Sequence, residues 1–234
     1  MTAILRRELG AYFSSPIGYI FLAVFYIFAS YYFVFITLLN NSPQLTPVFS
    51  NLFMIVLFLI PILTMRLLSE DQKNRTDQAL LTAPISLTGL VIGKFLAALF
   101  VFLLGVSITL VFAVIVAGFT TPDWAGIFAN IFALTLVGAS LISIGMFISS
   151  LTENQVIAAV GGFAAGLGLM LINSLSGFVS NPVIISAVNG ISFLRRYTDF
   201  TSGVFDFSNV LFFFSVCALF IFFTVRVLEK RRWA

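Results

Sequence analysis

The sequence has no histidine, one cysteine and few charged residues, which make up 9% of its 234 residues. Without histidine the chain cannot build a Ser-His dyad, a histidine-ligated zinc site or a His-Glu-x-x-His protease motif. The single cysteine, Cys217, excludes a disulfide framework. Because soluble domains carry about 25% charged residues, this composition excludes an ordinary soluble protein.

Acidic residues are also absent from the interiors of the long apolar runs. Asp123, Glu153, Asp199 and Asp206 all lie in polar turns or at the borders of apolar segments. Their positions exclude an intramembrane aspartyl protease, which needs two buried acids, and a typical proton-coupled carrier, which needs one. A sodium-coupled carrier stays open, because backbone oxygens can coordinate sodium.

The chain lacks a phosphate-binding loop as well. The nearest match to G-x-x-x-x-G-K-[ST] starts at Gly89, but its spacing is wrong and no hydroxyl residue follows Lys94. We therefore predict that the chain is not an enzyme and binds no cofactor or metal of its own. An ATP-driven role requires a partner subunit that carries ATP and magnesium. The net charge of +3 is small and lies at segment ends, which argues against nucleic-acid binding.

Long apolar runs dominate the rest of the sequence, which is 60% hydrophobic with a mean hydropathy of +1.12. A helix needs ~20 apolar residues to cross the hydrocarbon core, and six such runs use nearly the whole chain. We predict an all-α integral membrane protein that forms a single transmembrane domain over residues 1–234. The predicted spans are about 17–39, 48–65, 90–118, 126–150, 156–175 and 207–225.

Some features depart from the simple pattern of spans. Residues 1–16 carry apolar side chains near helical spacing, so we expect a short helix that lies in the membrane interface. The alternative is that the two arginines there only orient span one.

Pro61 is expected to kink span two or to end its regular hydrogen bonding early. Residues 183–194 are apolar but too short to cross, which predicts a re-entrant or interfacial element.

Positive charges predict the orientation of the chain. Arg6 and Arg7, the four basic residues between spans two and three, and the C-terminal cluster with Arg231 and Arg232 should face the cytoplasm. We predict a multi-pass cell-membrane protein with both termini cytoplasmic and these four named arginines as interfacial anchors in contact with lipid. Arg195 and Arg196, between spans five and six, would lie on the opposite side of the membrane in this orientation, against the positive-inside rule. The four positive charges of the C-terminal cluster outnumber these two, so we keep six spans.

The stretch between spans two and three, residues 66–94, carries charges of both signs. Thr76 and Asp77 can cap a short helix that stops before Pro84, and Leu80 and Leu81 provide an apolar edge. An amphipathic helix with exposed carboxylates suits docking on a soluble protein. The alternative is a solvated loop that only tethers two spans, and composition alone favours neither.

A family resemblance bears on this choice. The pattern Glu70-x4-Arg75-Thr76-Asp77-x2-Leu80-Leu81-x2-Pro84-Ile85, followed by Gly93-Lys94-Phe95, resembles that of ABC-2 type transporter permeases, the membrane subunits of one class of ATP-binding-cassette exporters. Residues 4–19, 197–204 and 225–232 are similar to the subgroup that includes gliding-motility-associated permeases. The resemblance covers nearly the whole chain in order.

The resemblance implies six transmembrane helices, an N-terminal interfacial helix, a cytoplasmic coupling helix between spans two and three, and a re-entrant, hairpin-like extracytoplasmic element between spans five and six. It also implies a dimer with a second permease copy or a paralogue, together with a cytoplasmic ATP-binding-cassette ATPase. We expect the ATPase to dock on coupling-helix residues, namely Glu70, Asp71, Arg75, Thr76, Asp77, Leu80 and Leu81.

The sequence departs from the usual family pattern, which has glycine before the threonine and glutamate after it. Arg75 and Asp77 stand at these positions, so the tighter turn that glycine allows is expected to be lost. In span five, Gly162 and Gly166 lie four residues apart on one face, which permits close helix packing. Packing within the chain is slightly favoured over a place at the dimer interface or along the export path.

The sequence thus predicts a permease subunit that couples ATP hydrolysis by a separate cytoplasmic subunit to substrate export. Two other functions stay open. A stand-alone secondary carrier or channel would usually show an internal repeat of spans, which we do not find. A non-transporting membrane anchor would use the same architecture to relay ATPase motion to an envelope or motility machine.

Overall fold

A computed structural model describes residues 2–76, 86–175, 188, 190–203 and 206–233. All regular structure within these ranges is helical. Six helices are long and apolar enough to cross a membrane, which confirms the predicted number of spans: Pro16–Leu38, Thr46–Lys73, Leu87–Ala117, Trp124–Ser150, Gln155–Ile172 and Phe207–Arg232. The second range includes a turn after Thr64 and a short helix Ser69–Lys73, so its long apolar helix ends close to the predicted end at 65. The sixth continues past the predicted end at 225 into the charged C-terminal residues.

The helices in chain order are α1 Thr2–Ser14, α2 Pro16–Tyr32 with a π-helical extension Phe33–Leu38, α3 Thr46–Thr64, α4 Ser69–Lys73, α5 Leu87–Val106, α6 Ile108–Ala117, α7 Trp124–Ser150, α8 Gln155–Leu175, α9 Phe193–Thr201 and α10 Phe207–Trp233. Three helix starts are set by side-chain caps. Ser86, Asp123 and Ser192 each accept a hydrogen bond from the backbone N–H three residues ahead, which begins α5, α7 and α9.

Helix α7 forms the centre of the bundle. In its most apolar stretch 72% of the residues are buried, against 17% for α8 and 22% for α10. Small residues allow this burial, because a Cβ added to Gly138 would overlap the ring of Phe102 in α5, and one on Gly145 would overlap Thr64 in α3. Helices in lipid associate through such close contacts. Among the described residues, most of the surface of α8 and α10 is therefore not covered by the rest of the chain.

Helix α3 continues through Pro61. The Met65 N–H donates to the Pro61 carbonyl oxygen at 2.9 Å, so the α-helical ladder resumes within one turn and the helix does not end early. Proline has no N–H for the Leu57 carbonyl. Gly166 of α8 approaches this carbonyl, and a Cβ there would lie 3.3 Å from the oxygen. The proline therefore marks the place where α8 packs most closely against α3.

Two tyrosine hydroxyls hold α3 near its two ends. Tyr12 of α1 donates to the Leu63 carbonyl and Tyr197 of α9 donates to the Phe49 carbonyl, both at 2.9 Å. These carbonyls are about 21 Å apart at 1.5 Å per residue, so α1 and α9 lie at opposite ends of the bundle. Burial raises the pKa of both tyrosines, and Arg66 only partly offsets this for Tyr12. Both hydroxyls therefore stay protonated and able to donate.

The side chain of Arg196 in α9 makes hydrogen bonds and a cation–π contact within the chain. Its guanidinium donates to the Gly190 carbonyl at 2.7 and 3.0 Å and to Asn209 Oδ1 at 2.7 Å, and it lies 4.3 Å from the centre of the Phe212 ring. This arginine stabilises the end of the bundle where α9 meets α10. Its charge therefore need not follow the cytoplasmic bias that applies to solvated arginines. Of the predicted re-entrant element, 183–194, residues 183–187 and 189 lie outside the described part of the chain.

Span three consists of two helices, α5 and α6, with a break at Ser107 between them. The Leu104 carbonyl accepts hydrogen bonds from the Tyr26 hydroxyl of α2 at 2.8 Å and from the Ser107 hydroxyl at 2.7 Å. Side-chain hydroxyls that insert into the helical ladder beside a glycine and serine pair, here Gly105 and Ser107, are a known cause of kinks. The break lies in the middle of the predicted span 90–118.

Candidate functional site

The most unusual side chain in the bundle is Lys94, near the start of α5. It is only 2% exposed, and lysine is almost never buried to this extent without a partner. Its Nζ atom lies 3.0 Å from Glu8 Oε1 and 2.7 Å from Asp71 Oδ2. One ammonium group thus joins three segments that are distant in sequence: α1, α4 and α5.

Arg7 completes this group from the solvent side. Its Nη2 atom lies 3.0 Å from Glu8 Oε1 and 3.4 Å from Asp71 Oδ1, while its side chain is half exposed. We call Arg7, Glu8, Asp71 and Lys94 the ion cluster. Its two cations and two carboxylates balance each other. Balance is needed because an unpaired buried ion costs several kcal/mol.

A second ion pair lies beside the ion cluster. Arg66 Nε is 2.9 Å from Glu70 Oε2, and Arg66 also donates to Ser15 Oγ and lies 5.4 Å from the centre of the Tyr12 ring. This arginine connects the end of α3 with the junction between α1 and α2. The pair and the ion cluster line one cavity of about 230 Å³.

The turn from α3 to α4 is also bonded to α7 at the centre of the bundle. Ser149 Oγ accepts hydrogen bonds from the backbone N–H groups of Leu68 and Ser69, both at 3.1 Å. Gln72 Nε2 donates to the Ser150 carbonyl oxygen at 3.1 Å. Backbone groups of a buried turn need such partners. Together with the ion cluster, these bonds connect α4 to α5 and α7 as well as to α3.

Helix α4 ends at a residue with left-handed backbone. Arg75 has a φ of 56° and follows the C-cap residue Asn74, the position that glycine favours. The Arg75 N–H donates to the Gln72 carbonyl oxygen at 3.1 Å, which closes the turn. The expectation that the tight turn is lost is therefore wrong. The turn forms with arginine in the conformation that glycine adopts at lower cost.

Arg75→Gly should therefore stabilise the protein. An L-residue in the left-handed region costs about 1 kcal/mol, so we expect the substitution to raise the free energy of unfolding by roughly that amount. Thermal unfolding of detergent-solubilised protein measures the change. Asn74→Gly is the matched control, because Asn74 has an ordinary φ of −86° and glycine there adds only chain entropy to the unfolded state. Equal loss of stability in both variants would contradict the left-handed conformation assigned to Arg75.

Glu70 and Asp71 are less exposed than the sequence suggested. Glu70 is 38% exposed and paired with Arg66, and Asp71 is 15% exposed and lies within the ion cluster. Both carboxylates already have partners inside the chain. Their predicted role in docking stays a prediction, and a substitution of Asp71 also changes the ion cluster.

The remaining docking candidates fall into two groups. Arg75 and Thr76 are exposed, and the Thr76 hydroxyl donates to Asp71 Oδ1 at 2.9 Å. Asp77, Leu80 and Leu81 lie outside the described residues. Arg75 is thus the docking candidate with an exposed side chain whose substitution least disturbs the ion cluster.

The other predicted residues lie as follows. Arg6 is exposed on α1 beside the half-exposed Arg7, and Arg231 and Arg232 belong to the last turn of α10. Cations in a last turn interact favourably with the helix dipole.

The two glycines of α8 face α3 of the same chain. A Cβ on Gly162 would lie 2.9 Å from the Cβ of Pro61, and one on Gly166 would meet the Leu57 carbonyl. In the described chain they thus serve packing between spans two and five.

Sequence reasoning missed Glu8 and Lys94 as site residues. The signal was present, because Lys94 is the one charged residue within the predicted span 90–118. A charged side chain at that depth requires a partner. Ser149 gave no comparable signal, since serines occur throughout the predicted spans.

Comparison with known proteins identifies one family and two similar curated proteins. A family model described as ABC-2 family transporter protein matches residues 11–232. The chain is similar to two curated proteins, from Escherichia coli K12 and from Escherichia coli O157:H7, each named probable multidrug ABC transporter permease YbhR. Identity to each is 27% over 147 residues, which is 62% of this chain and 39% of the relative's length. The matched region thus spans about two fifths of the curated relatives.

Proposed function

Because this chain belongs to the ABC-2 family of transporter proteins, we propose that it is the permease subunit of an ATP-binding-cassette exporter. Two copies, or this chain and a paralogue, form the membrane channel. A separate cytoplasmic ATPase carries ATP and magnesium and docks on the segment between spans two and three. Both termini and the ion cluster then face the cytoplasm.

One observation carries this proposal: α4, five residues long, is bonded to two spans besides the one that it follows. Asp71 pairs with Lys94 of α5 at 2.7 Å, and Leu68 and Ser69 at its start bond to Ser149 of α7. A loop that merely tethers two spans needs no such bonds. A segment that transmits force to spans three and four does need them.

The mechanism follows from these contacts. An ATPase that moves on hydrolysis displaces α4, and Asp71 transfers the displacement to α5 through Lys94. Glu8 transfers it to α1 through the same ammonium group. The joint between α5 and α6 then allows the inner half of span three to move relative to its outer half. This changes access to the pathway from one side of the membrane to the other.

The first test is to purify the protein gently from its native membrane and to identify its companions. We expect a stoichiometric soluble subunit with a phosphate-binding loop. Arg75→Glu should reduce the amount of that subunit, because it reverses an exposed charge on the docking segment. Arg195→Glu is the matched control, since Arg195 is also exposed but lies on α9 at the opposite end of the bundle.

Two outcomes count against the proposal. If the chain purifies alone and no neighbouring ATPase changes its stability, a carrier or channel explains the fold better. If the ATPase is retained equally by wild type, Arg75→Glu and Arg195→Glu, docking occurs on another surface.

Ser149→Ala tests transmission separately from docking. Ser149 Oγ accepts two backbone N–H bonds and donates to the Met65 carbonyl at 3.0 Å. Leaving such groups unpaired costs about 1–3 kcal/mol, so we expect lower thermal stability and a bound ATPase whose hydrolysis rate responds less to the permease. Ser215→Ala is the control, because that exposed serine donates only to its own helix at Leu211. Equal effects of both substitutions would argue against a role for Ser149 in transmission.

A further inference from the structure

A polar cavity lies at the end of the bundle opposite the ion cluster. It has a volume of about 370 Å³ and is lined by the loop between spans one and two and by the loop between spans three and four. Gln44 lines it from the first loop and Thr46 from the start of α3, and Thr121 and Asp123 line it from the second loop. Ligand sites are typically about 300–1,000 Å³, so the cavity has room for a small organic molecule and is large for a bare metal ion.

Asn130 of α7 lies at the buried side of this cavity and is only 2% exposed. Its Nδ2 atom donates to the Gly126 carbonyl oxygen at 2.8 Å, which fixes the orientation of the amide. Its Oδ1 atom has no hydrogen-bond partner among the described residues. The residue lies about 9 Å along the helix from the start of α7, within a predicted span. Leaving a polar group unsatisfied at that depth is unfavourable, so we expect a donor from outside the chain.

The charge of the cavity selects the kind of donor. Asp123 is the only charged residue among the described residues that line it. The side chain is exposed, and its Oδ1 atom accepts from the Gly126 N–H at 3.1 Å as the cap of α7. The start of a helix contributes about half a positive charge, which leaves a net negative potential from the full charge of the carboxylate. The hydroxyls of Thr46 and Thr121 and the amide of Gln44 add further acceptors.

A neighbouring cavity of about 360 Å³ extends the site. It shares Pro43 with the first cavity and is lined by Thr37, which belongs to the π-helical end of span one. The Thr37 hydroxyl is also buried and has no partner among the described residues. Two residues that carry an unpaired buried oxygen atom, Asn130 and Thr37, thus line adjoining cavities at one end of the bundle.

We propose that this cavity binds the primary ammonium group of a small organic amine. Asn130 Oδ1 accepts from an N–H of the ligand, and the Asp123 carboxylate supplies the opposite charge. The ammonium belongs either to a free amine or to the headgroup of an ethanolamine phospholipid, since the recognition chemistry is the same. This inference does not rest on ATPase coupling.

The experiment titrates purified protein with ethanolamine and, separately, with tetramethylammonium, which carries the same charge but no N–H group. Trp124 adjoins Asp123 and reports occupancy through its fluorescence, in a Trp233→Phe background that removes the other tryptophan. Ethanolamine should bind saturably, and tetramethylammonium should bind much more weakly. Asn130→Leu and Asp123→Asn should each weaken ethanolamine binding roughly tenfold, the effect of about 1.4 kcal/mol.

The controls separate binding from folding. Asp123→Asn keeps the helix cap, because asparagine caps as well as aspartate. Asn51→Leu removes a comparable side-chain bond, from Asn51 Nδ2 to the Pro47 carbonyl at 2.8 Å, outside the cavity. It should leave ethanolamine binding unchanged. Thermal unfolding of Asn130→Leu shows whether the variant is folded, and Asp123→Asn tests the site independently if it is not.

Nanodiscs distinguish the two sources of the ammonium. In phosphatidylethanolamine discs a lipid headgroup in the cavity would compete with free ethanolamine and weaken its apparent affinity relative to phosphatidylglycerol discs. Equal affinity in both discs identifies a free amine as the ligand. Absence of saturable ethanolamine binding would overturn the proposal and leave water as the partner of Asn130. Equal binding of both cations would overturn the role of Asn130 as an acceptor.

Discussion

Lys94→Met should lower the free energy of unfolding by about 3–5 kcal/mol, the usual cost of breaking a buried ion pair from one side. Methionine has a similar length but cannot pair with Glu8 or Asp71, so two carboxylates lose the ammonium group between them. Arg7 alone cannot compensate, because it is half exposed and 3.4 Å from Asp71 Oδ1. Denaturant or thermal unfolding in detergent measures the loss.

Lys73→Met is the matched control, since Lys73 is an exposed lysine on α4. A surface change of this kind usually alters stability by no more than about 0.5 kcal/mol. Unfolding of Lys94→Met at the wild-type temperature would show that the ion cluster does not stabilise the bundle.

A triple variant separates stability from transmission. Lys94→Met combined with Glu8→Gln and Asp71→Asn removes the uncompensated charges, and buried ion groups replaced by neutral groups often regain stability. We expect this variant to fold better than Lys94→Met alone while ATPase coupling stays impaired. If the triple variant couples normally, transmission does not pass through Lys94.

Gly138→Leu should be the second severe substitution. A Cβ on Gly138 would overlap the ring of Phe102, which is fully buried and packs edge to face against Phe25 at 6.4 Å. Overpacking typically costs about 1–3 kcal/mol and sometimes more. Because the overlap involves a ring held on all sides at the contact of α5 with α7, we expect the upper end of this range or failure to fold. The folded fraction by size exclusion and the unfolding temperature measure the effect.

Gly168→Leu provides the comparison on α8, because nothing lies within 4 Å of a Cβ placed there. It should be well tolerated. Gly138→Ala together with Phe102→Leu should recover part of the stability lost in Gly138→Ala, since the smaller side chain makes room for the methyl group. Similar damage from both leucine substitutions would mean that helix propensity, and not the Phe102 contact, decides the outcome.

The spans were predictable because crossing a bilayer requires a run of apolar residues that sequence alone displays. The partners of Lys94 were not, because Glu8 lies 86 residues away and only the packing of α1 on α5 brings them together. The sequence did show that a lysine within an apolar run needs a partner, without showing which one.

Two backbone features illustrate the same limit. The Gly105 and Ser107 pair signals a kink, but similar pairs elsewhere in the spans lie in regular helix, and the Tyr26 hydroxyl comes from another span. At Arg75 the sequence suggested that a turn was lost, since arginine rarely adopts positive φ. The bonds of α4 to the rest of the bundle hold it in that conformation. Both outcomes depend on tertiary contacts.

The two tyrosine bonds to α3 restrict how that helix can move. Phe49 and Leu63 are fourteen residues apart, so their carbonyls lie within about 40° of each other around the helix. With these two carbonyls held on one side of α3, the motion of the helix that breaks neither bond is a rotation about the line that joins them. Leu57 and Pro61 lie about 100–140° around from that line and travel the longest arc. Such a rotation would open the seam with Gly162 and Gly166 and shift α8 sideways in the lipid.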